Sequence, residues 1–335
     1  MAAAPARYAY IDALRAIPVA AVIVSHVKNQ FPDLPWRARA LAEFGAHGVQ
    51  LFFVASALTL TLSWQARADG AARFYLRRLW RIAPLFWLAV AGFASAHAAG
   101  WWPSGGSDQA AVALTAAFLH ALSPRAINLV VPGGWSIGVE MAFYAVFPLV
   151  AAWTTTRARA AGLAAGATAA CILANGAIQR WEGFGSDAER EFFLYYGLPS
   201  AMPSFAIGIL LAYCLPARPL GAWTSRGLLA AAAAGSIACA WSGMAWFSDP
   251  SHLLSREIAA PVLAGALVLA LAGRDGTWLV NPATRLAGRV SFSAYLVHFA
   301  LVIPAQEWFG PVAAGPWASC GLFLAASAAG IAATV

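Results

Sequence analysis

Residues 9–27 read AYIDALRAIPVAAVIVSHV, and this stretch decides the fold. Its length matches the ~20 apolar residues that an α-helix needs to cross the hydrocarbon core of a bilayer. Asp12, Arg15 and His26 interrupt the apolar run, and no small-residue cleavage site follows it. A signal peptide has an uninterrupted apolar region that ends at such a site, so we predict an uncleaved first membrane helix.

The rest of the chain has the same apolar character. Of its 335 residues, 61% are hydrophobic and 10% are charged, whereas soluble domains have roughly 45–50% apolar and about 25% charged residues. This composition excludes a soluble enzyme and a disordered chain. At ~20 residues a span, the length suffices for about ten or eleven spans and leaves no room for a second domain. We therefore predict an all-α polytopic membrane protein in which residues 1–335 form a single domain.

Apolar runs bounded by charged residues, proline or glycine give the positions of the spans. They predict ten transmembrane helices, near residues 9–27, 46–65, 82–99, 134–153, 160–179, 192–214, 227–247, 257–273, 289–308 and 313–334. Residues 109–122 form a shorter apolar piece. Because about fourteen residues are too few for a span, we predict a re-entrant or interfacial helix there.

The formal charge of +7 comes from 21 basic and 14 acidic residues. The basic residues are spread over short loops, which favours a role in membrane topology over nucleic-acid binding. With a cytoplasmic amino terminus and ten spans, both termini lie inside, and the acidic residues from Glu182 to Glu191 fall outside. The predicted inside arginines are Arg7, Arg67, Arg73, Arg77, Arg78, Arg81, Arg157, Arg159, Arg218, Arg226, Arg274, Arg285 and Arg289.

The cysteines and several histidines give no sign of a metal or redox site. The cysteines are dispersed without a zinc or redox spacing, so we expect reduced, structural thiols and no bound metal or cofactor. They are Cys171, Cys214, Cys239 and Cys320. Four histidines lie near the predicted span ends, where solvated histidines need no role: His47, His97, His120 and His252.

Two ionisable residues of the first span lie on one face. Ionisable residues inside spans are costly and by default suggest function. Arg15 and His26 are eleven residues apart, which places them about 20° apart around a helix and ~16 Å apart along it. An anion bound by Arg15 can extend toward His26, whose reference pKa of ~6.5 suits a general base. Alternatively, Arg15 snorkels to lipid phosphates and His26 hydrogen-bonds a neighbouring helix.

A second feature is an arginine cluster in FYLRRLWRIAP, residues 74–84, directly after Arg73. Within this segment, Arg78 and Arg81 fall on one helical face, next to Arg77. Guanidinium groups at a membrane mouth suit a polyanionic phosphate ligand, because each can bind phosphate bidentately. The same cluster also fits a positive-inside anchor that contacts anionic lipid.

The segment GWSIGVEMAFYAVFP carries a third group of polar residues. Ser136, Glu140 and Tyr144 recur every four residues beside Trp135. They form one stripe, which we expect on the outer half of a span. A buried glutamate beside a tryptophan can orient or deprotonate a hydroxyl, and the same stripe also fits hydrogen bonds that only fix helix packing.

A fourth group lies in SFSAYLVH near the end of the chain. Ser291, Tyr295 and His298 fall within about 60° of one another on a helix. This pattern also fits polar contacts inside a helix bundle, so it carries no function by itself.

In this order the segments resemble the acyltransferase 3 family, membrane enzymes that O-acylate bacterial surface glycans and related acceptors. The resemblance covers residues 8–310. It rests on DALR at residues 12–15 with the following His26, on GVQLFFVAS at residues 48–56, and on FYLRRLWRIAP, WSIGVEMAFY and SFSAYLVH. Ala57 stands where the family usually has glycine, and Gln50 where an acidic residue is frequent.

The resemblance implies transfer of an acyl group, expected to be acetyl, from cytoplasmic acyl-CoA to a hydroxyl of a surface glycan or lipid-linked saccharide. The acceptors include polysaccharide and lipopolysaccharide, and the location is the bacterial inner membrane. His26 would act as base or acyl carrier with Arg15 and Glu140. Arg77, Arg78 and Arg81 would bind the donor. The acceptor-side or supporting residues would be Trp135, Ser136, Tyr144, Ser56, Tyr295 and His298. Many members carry an additional outer esterase-like domain, which we do not expect here.

A secondary transporter or flippase is the alternative function, because it also has about ten spans and a few buried ionisable groups. Such proteins often show paired, Gly/Pro-broken helices in two related halves. Here the polar residues are concentrated in the first half, apart from residues 291–298, and the second half has no counterpart of the first helix. A structural membrane subunit would leave the arginine cluster and His26 without a role.

Overall fold

The computed structural model describes residues 9–66, 70–102, 108–216, 218–242, 251–253, 255–272 and 279–334. Within these ranges the chain forms α-helices and short 3₁₀ segments and no β-strand, which confirms the predicted all-α class. The α-helices are α1 (Ala9–Val27), α2 (Trp36–Phe44), α3 (Gly48–Ala66), α4 (Gly70–Ala98), α5 (Gln109–Ala116), α6 (Trp135–Trp153), α7 (Arg157–Arg180), α8 (Asp187–Tyr196), α9 (Leu198–Cys214), α10 (Ala222–Trp241), α11 (Arg256–Leu271), α12 (Pro282–Phe309) and α13 (Pro316–Thr334).

Eight helical segments of the described ranges are long and apolar enough to cross a membrane. They are Tyr10–Gln30, Trp36–Ala66, Gly70–Ala98, Trp135–Trp153, Arg157–Arg180, Asp187–Cys214, Pro282–Trp308 and Pro316–Thr334. Two of them combine consecutive helices, because α2 leads directly into α3 and α8 into α9. The chain is therefore a multi-pass membrane protein.

The other two predicted spans, 227–247 and 257–273, correspond to α10 and α11. α11 has 16 residues, and both helices end close to residues outside the described ranges. The count of ten spans and the orientation of the termini therefore stay predictions. Three of the predicted inside arginines, Arg7, Arg67 and Arg274, also lie outside the described residues.

The apolar segment 109–122 is short, as predicted. α5 has 8 residues, and the 3₁₀ turn His120–Leu122 follows it. Eight residues extend ~12 Å along a helix axis, which is less than half of the ~30 Å hydrocarbon core. This segment therefore cannot cross the bilayer as one helix.

Helix α1 packs against α3, α12 and α13. Glycines permit two of these close contacts. A Cβ atom on Gly288 of α12 would lie 1.7 Å from the carbonyl oxygen of Asp12, and one on Gly48 of α3 would lie 2.7 Å from that of Pro18. Small residues of this kind let the backbones of membrane helices approach one another. The polar face of α1 is consequently enclosed by protein, which positions both Arg15 and His26.

Helix α6 contacts α3, α4 and α9. Stacked aromatic rings fill these contacts. The rings of Phe143 and Phe205 are centred 4.0 Å apart, and those of Phe147 and Phe74 are 5.2 Å apart. Aromatic pairs contribute about 0.5–1.5 kcal/mol each beyond the burial of their area. This packing orients the polar stripe of α6 toward the arginines of α4.

Candidate active site

A narrow cavity of about 70 Å³ lies between α1, α3, α4, α6 and α12. We call it the arginine cavity, because Arg15, Arg78 and Arg81 line it. Its other polar lining residues are Ser56, Thr59, Ser136, Glu140, Tyr144, Ser291 and Tyr295. The packing of five helices therefore collects most of the polar groups that the sequence singled out.

Arg15 is held inside the protein. Its guanidinium donates a hydrogen bond of 3.2 Å to Oγ1 of Thr59 on α3 and lies 3.9 Å from the carboxylate of Asp12. The side chain of Arg15 is 16% exposed. A guanidinium has five donor N–H groups, so these contacts leave donors that can reach an anion in the cavity.

Helix α4 contributes two cavity-lining arginines. The guanidinium carbon of Arg78 lies 5.9 Å from the ring centres of both Phe74 and Tyr144, within the range of cation–π attraction. Its Nε is buried and has no hydrogen-bond partner. Arg81 follows three residues later on the same helical face, as predicted. Arg77 is not among the residues that line the cavity, because it is turned ~100° around the helix from Arg78.

Glu140 is the carboxylate that lines the arginine cavity. It accepts a hydrogen bond of 2.6 Å from the hydroxyl of Ser56 on α3 and a second, short one from the hydroxyl of Tyr144. The two hydroxyls are 3.3 Å apart. The network joins α3 to α6 and places the carboxyl group of Glu140 in the cavity that the arginines line.

We expect Glu140→Ala to lower the free energy of unfolding by about 1–3 kcal/mol, because the hydroxyls of Ser56 and Tyr144 lose their common acceptor. Thermal unfolding of the detergent-purified variant measures the effect. Ser56→Ala removes the donor hydroxyl together with its hydrogen bond, so it should lower the free energy of unfolding clearly less. Equal unfolding temperatures for Glu140→Ala and the native protein would contradict the network.

A second cavity, of about 430 Å³, contains His26. We call it the histidine cavity. It lies between α1, α8, α12, the start of α6 and the loop that precedes α6. Its polar and aromatic lining residues are His26, Asn29, Asn128, Trp135, Tyr195, Tyr196, Tyr295, Phe299, Gln306 and Glu307.

Tyr295 lines both cavities and lies between them. Its hydroxyl donates a hydrogen bond of 3.0 Å to the carbonyl oxygen of Gly133 and accepts one of 3.1 Å from the hydroxyl of Ser136. A side chain, and not a helix backbone, therefore forms this part of the wall between the arginines and His26.

The loop before α6 is fixed by buried polar contacts. Nε2 of His120 donates a hydrogen bond of 2.9 Å to the carbonyl oxygen of Gly134, and the N–H of Gly133 donates one of 2.9 Å to Oδ1 of Asn128. Burial lowers the pKa of His120, because the charged form loses its hydration. The expectation of solvated histidines is wrong for His120 and for His47, which are only 1% and 6% exposed.

His26 is surrounded by residues of α12. Its ring lies 4.7 Å from the ring of Phe299 and 5.5 Å from that of His298, measured between ring centres. Its backbone carbonyl accepts a hydrogen bond of 2.7 Å from Nε2 of Gln306. The structure thus brings His298 of the SFSAYLVH segment beside the histidine of the first helix.

Residues of α6 line both cavities. Trp135 lines the histidine cavity, whereas Glu140 and Tyr144 line the arginine cavity. Trp135 is turned ~140° around the helix from Glu140, so two different faces of α6 line the two cavities. Ser136, Glu140 and Tyr144 line the same cavity, and their position in the outer half of a span, on the acceptor side, stays a prediction. Ser56 also lies in the arginine cavity.

Several residues that line the two cavities could not be identified from the sequence. They are Thr59, Asn128, Tyr195, Tyr196 and Gln306. Asn128 lies in a loop, and the two tyrosines lie at the end of a short helix, so neither periodicity nor span position marks them. The two adjacent tyrosines are a weak indication, from composition alone, that this segment forms an aromatic wall.

The membrane-spanning helices enclose two neighbouring cavities that polar residues line. The chain is thus a multi-pass membrane protein whose candidate site lies inside the helix bundle. The chain belongs to the acyltransferase 3 family, since the family model, described as an acyltransferase domain, matches residues 8–335. It is therefore a membrane acyltransferase.

Two curated relatives are similar to this chain. The exopolysaccharide production protein ExoZ of Rhizobium meliloti (strain 1021) is 33% identical over 31% of this chain, an alignment that spans only 33% of ExoZ. BcsY of Komagataeibacter xylinus, a suggested membrane-bound transacylase, is 26% identical over 88% of this chain and 73% of BcsY. No solved structure matches the chain.

Proposed function

We propose that this enzyme transfers an acyl group, acetyl in the simplest case, from cytoplasmic acyl-CoA to a hydroxyl of a polysaccharide or lipid-linked saccharide. We place it in the bacterial inner membrane with both termini in the cytoplasm. The observation that carries the proposal is the meeting of two cavities at Tyr295, one lined by arginines and one containing His26.

The arginine cavity suits the donor. Coenzyme A carries phosphates, and guanidinium groups bind phosphate bidentately through paired N–H donors. Arg78 and Arg81 line the cavity from α4, and Arg15 lines it from α1. A phosphate-bearing headgroup bound by the α4 arginines would place its thioester arm along α1, in the direction of His26.

The histidine cavity suits the acceptor. Its volume of about 430 Å³ lies within the usual ligand-pocket range of about 300–1,000 Å³. Aromatic faces from Trp135 and Tyr196 and amide groups from Asn128 and Gln306 can contact the C–H faces and hydroxyls of a sugar. The exopolysaccharide function in the name of ExoZ supports a saccharide acceptor.

In the proposed reaction, one ring nitrogen of His26 takes the proton of the acceptor hydroxyl. The hydroxyl oxygen then attacks the thioester carbonyl, a C–O bond forms, and the C–S bond breaks. The leaving thiolate receives the proton from His26. In the alternative route, His26 attacks first and carries the acyl group to the hydroxyl. Arg15 and Glu140 line the donor side in both routes.

The Arg78→Ala, Arg81→Ala double variant tests the donor site. Acetyl-CoA at about 100 times its Kd should stabilise the native protein by about 2.7 kcal/mol and raise its melting temperature. We expect the double variant to lose this shift. Arg73→Ala is the matched control, because Arg73 is an exposed arginine of the same helix outside the cavity. Longer acyl-CoAs, measured in parallel, report the acyl length.

A retained shift in the double variant would contradict the assigned donor site. No shift with any acyl-CoA in the folded native protein would contradict the acyl-CoA donor itself and favour transport as the function.

A further inference from the structure

We propose that His298 is a positioning residue that accepts a hydrogen bond from the ring of His26 and so directs the other ring nitrogen of His26 toward the acceptor. This inference rests on the proposed function for the identity of the reaction. The His26–His298 contact itself rests on the geometry of α1 and α12.

The tautomer of His298 follows from its contacts. Nδ1 of His298 lies 2.6 Å from the backbone carbonyl oxygen of Tyr295. A carbonyl oxygen only accepts hydrogen bonds, so Nδ1 carries the proton. In the neutral ring, Nε2 then has a free lone pair and can only accept.

That acceptor is buried and unsatisfied. His298 is 0% exposed, and its Nε2 has no hydrogen-bond partner. A buried polar atom without a partner is costly and calls for an explanation, especially within a membrane-spanning helix. This cost is recovered only if a hydrogen-bond donor comes within reach of Nε2.

His26 is the donor in position. The ring centres of His26 and His298 are 5.5 Å apart with planes tilted by 40°. At this separation, ring nitrogens that face each other come within hydrogen-bond distance, at ~3 Å. A rotation of the His26 ring about its Cβ–Cγ bond is the required change. Catalytic hydrogen bonds of this type are often long or misaligned until a substrate is bound.

The consequence concerns the reacting nitrogen of His26. When one ring N–H of His26 is donated to His298, the other nitrogen keeps its lone pair for the acceptor proton. His298 then takes the place that the aspartate occupies beside the catalytic histidine of a Ser-His-Asp triad. Glu307 lines the histidine cavity from the end of α12 and is exposed, so its substitution tests the alternative partner for His26.

Two substitutions separate hydrogen bonding from packing. His298→Gln keeps a carbonyl oxygen near the position of Nε2, whereas His298→Phe keeps an aromatic ring and removes the acceptor. A positioning role predicts that the glutamine variant retains function and the phenylalanine variant loses it. A packing role predicts the reverse, because phenylalanine fills an apolar site better than an amide does.

The first readout needs no acceptor or donor. Diethyl pyrocarbonate modifies the free ring nitrogen of His26, and mass spectrometry of the detergent-purified protein gives the rate at fixed pH. We expect His298→Phe to lower this rate by about tenfold and His298→Gln to restore most of it. His97→Phe is the control, since His97 also faces a backbone carbonyl, that of Trp102 at 3.2 Å, and lines neither cavity.

The second readout is acyl transfer. We expect His298→Phe to lower kcat about 10²-fold and to change the KM for acyl-CoA little, because His298 does not line the arginine cavity. If His298→Phe does not fold, His298→Met replaces it. Unchanged modification rates in the Phe and Gln variants, or a loss produced by Glu307→Gln in place of His298→Phe, would overturn the proposal. The expected modification pattern in a protein without acyltransferase activity would instead overturn only the proposed function.

Discussion

Replacing His26 with alanine is expected to lower the rate of acyl transfer by about 10³-fold while the protein folds and binds acyl-CoA. General base catalysis contributes a factor of about 10²–10⁴ to a rate. Within the described residues, His26 is the one histidine that lines either of the two cavities. Donor binding should persist, because the arginines that we assign to it lie in the other cavity. Transfer of labelled acetyl from acetyl-CoA, together with the thermal shift, measures both properties.

His97→Ala is the control for this substitution, because His97 lies outside both cavities. Labelled acetyl-CoA without acceptor distinguishes the two routes. Label that stays on the native protein and is absent from His26→Ala indicates an acyl-histidine, whereas no label indicates a base. Full transfer activity in folded His26→Ala would remove His26 from the mechanism.

The sequence alone predicts those features of the site that depend on a single helix. The apolar length of residues 9–27 predicted α1, and the helical period correctly placed Arg78 and Arg81 on one face. The same period grouped Ser136, Glu140 and Tyr144, and all three line the arginine cavity. Each of these inferences uses only the geometry of a single helix.

The remaining features depend on contacts between helices. The placement of Trp135 and Glu140 in different cavities depends on which helices pack against each face of α6, and a single helix does not record that packing. Tyr195 reaches Trp135 across sixty positions of chain, with ring centres 6.2 Å apart, and no periodicity records such a contact. The burial of His120 likewise depends on the loop that folds over it, so its sequence position near a span end was misleading.

Gly133→Ala is expected to destabilise the protein by ~2–5 kcal/mol and to reduce acyl transfer strongly. Gly133 has a φ of +71°, which costs a residue with a Cβ about 1–2 kcal/mol. The new Cβ would lie 2.3 Å from Cε2 of Phe299. Phe299 packs against His26 at 4.7 Å and against His298 at 3.9 Å, so the ring cannot move without displacing the histidine pair, and overpacking of this kind costs about 1–3 kcal/mol.

Gly100→Ala separates the backbone effect from the collision, because Gly100 has the same φ of +71° and a Cβ there would meet nothing within 4 Å. We expect it to cost only the backbone strain and to leave acyl transfer intact. Adding Phe299→Leu to Gly133→Ala should recover part of the lost stability, since a smaller side chain makes room for the Cβ. Equal unfolding temperatures and equal activities for Gly133→Ala and Gly100→Ala would show that the contact with Phe299 does not hold the loop against the histidine cavity.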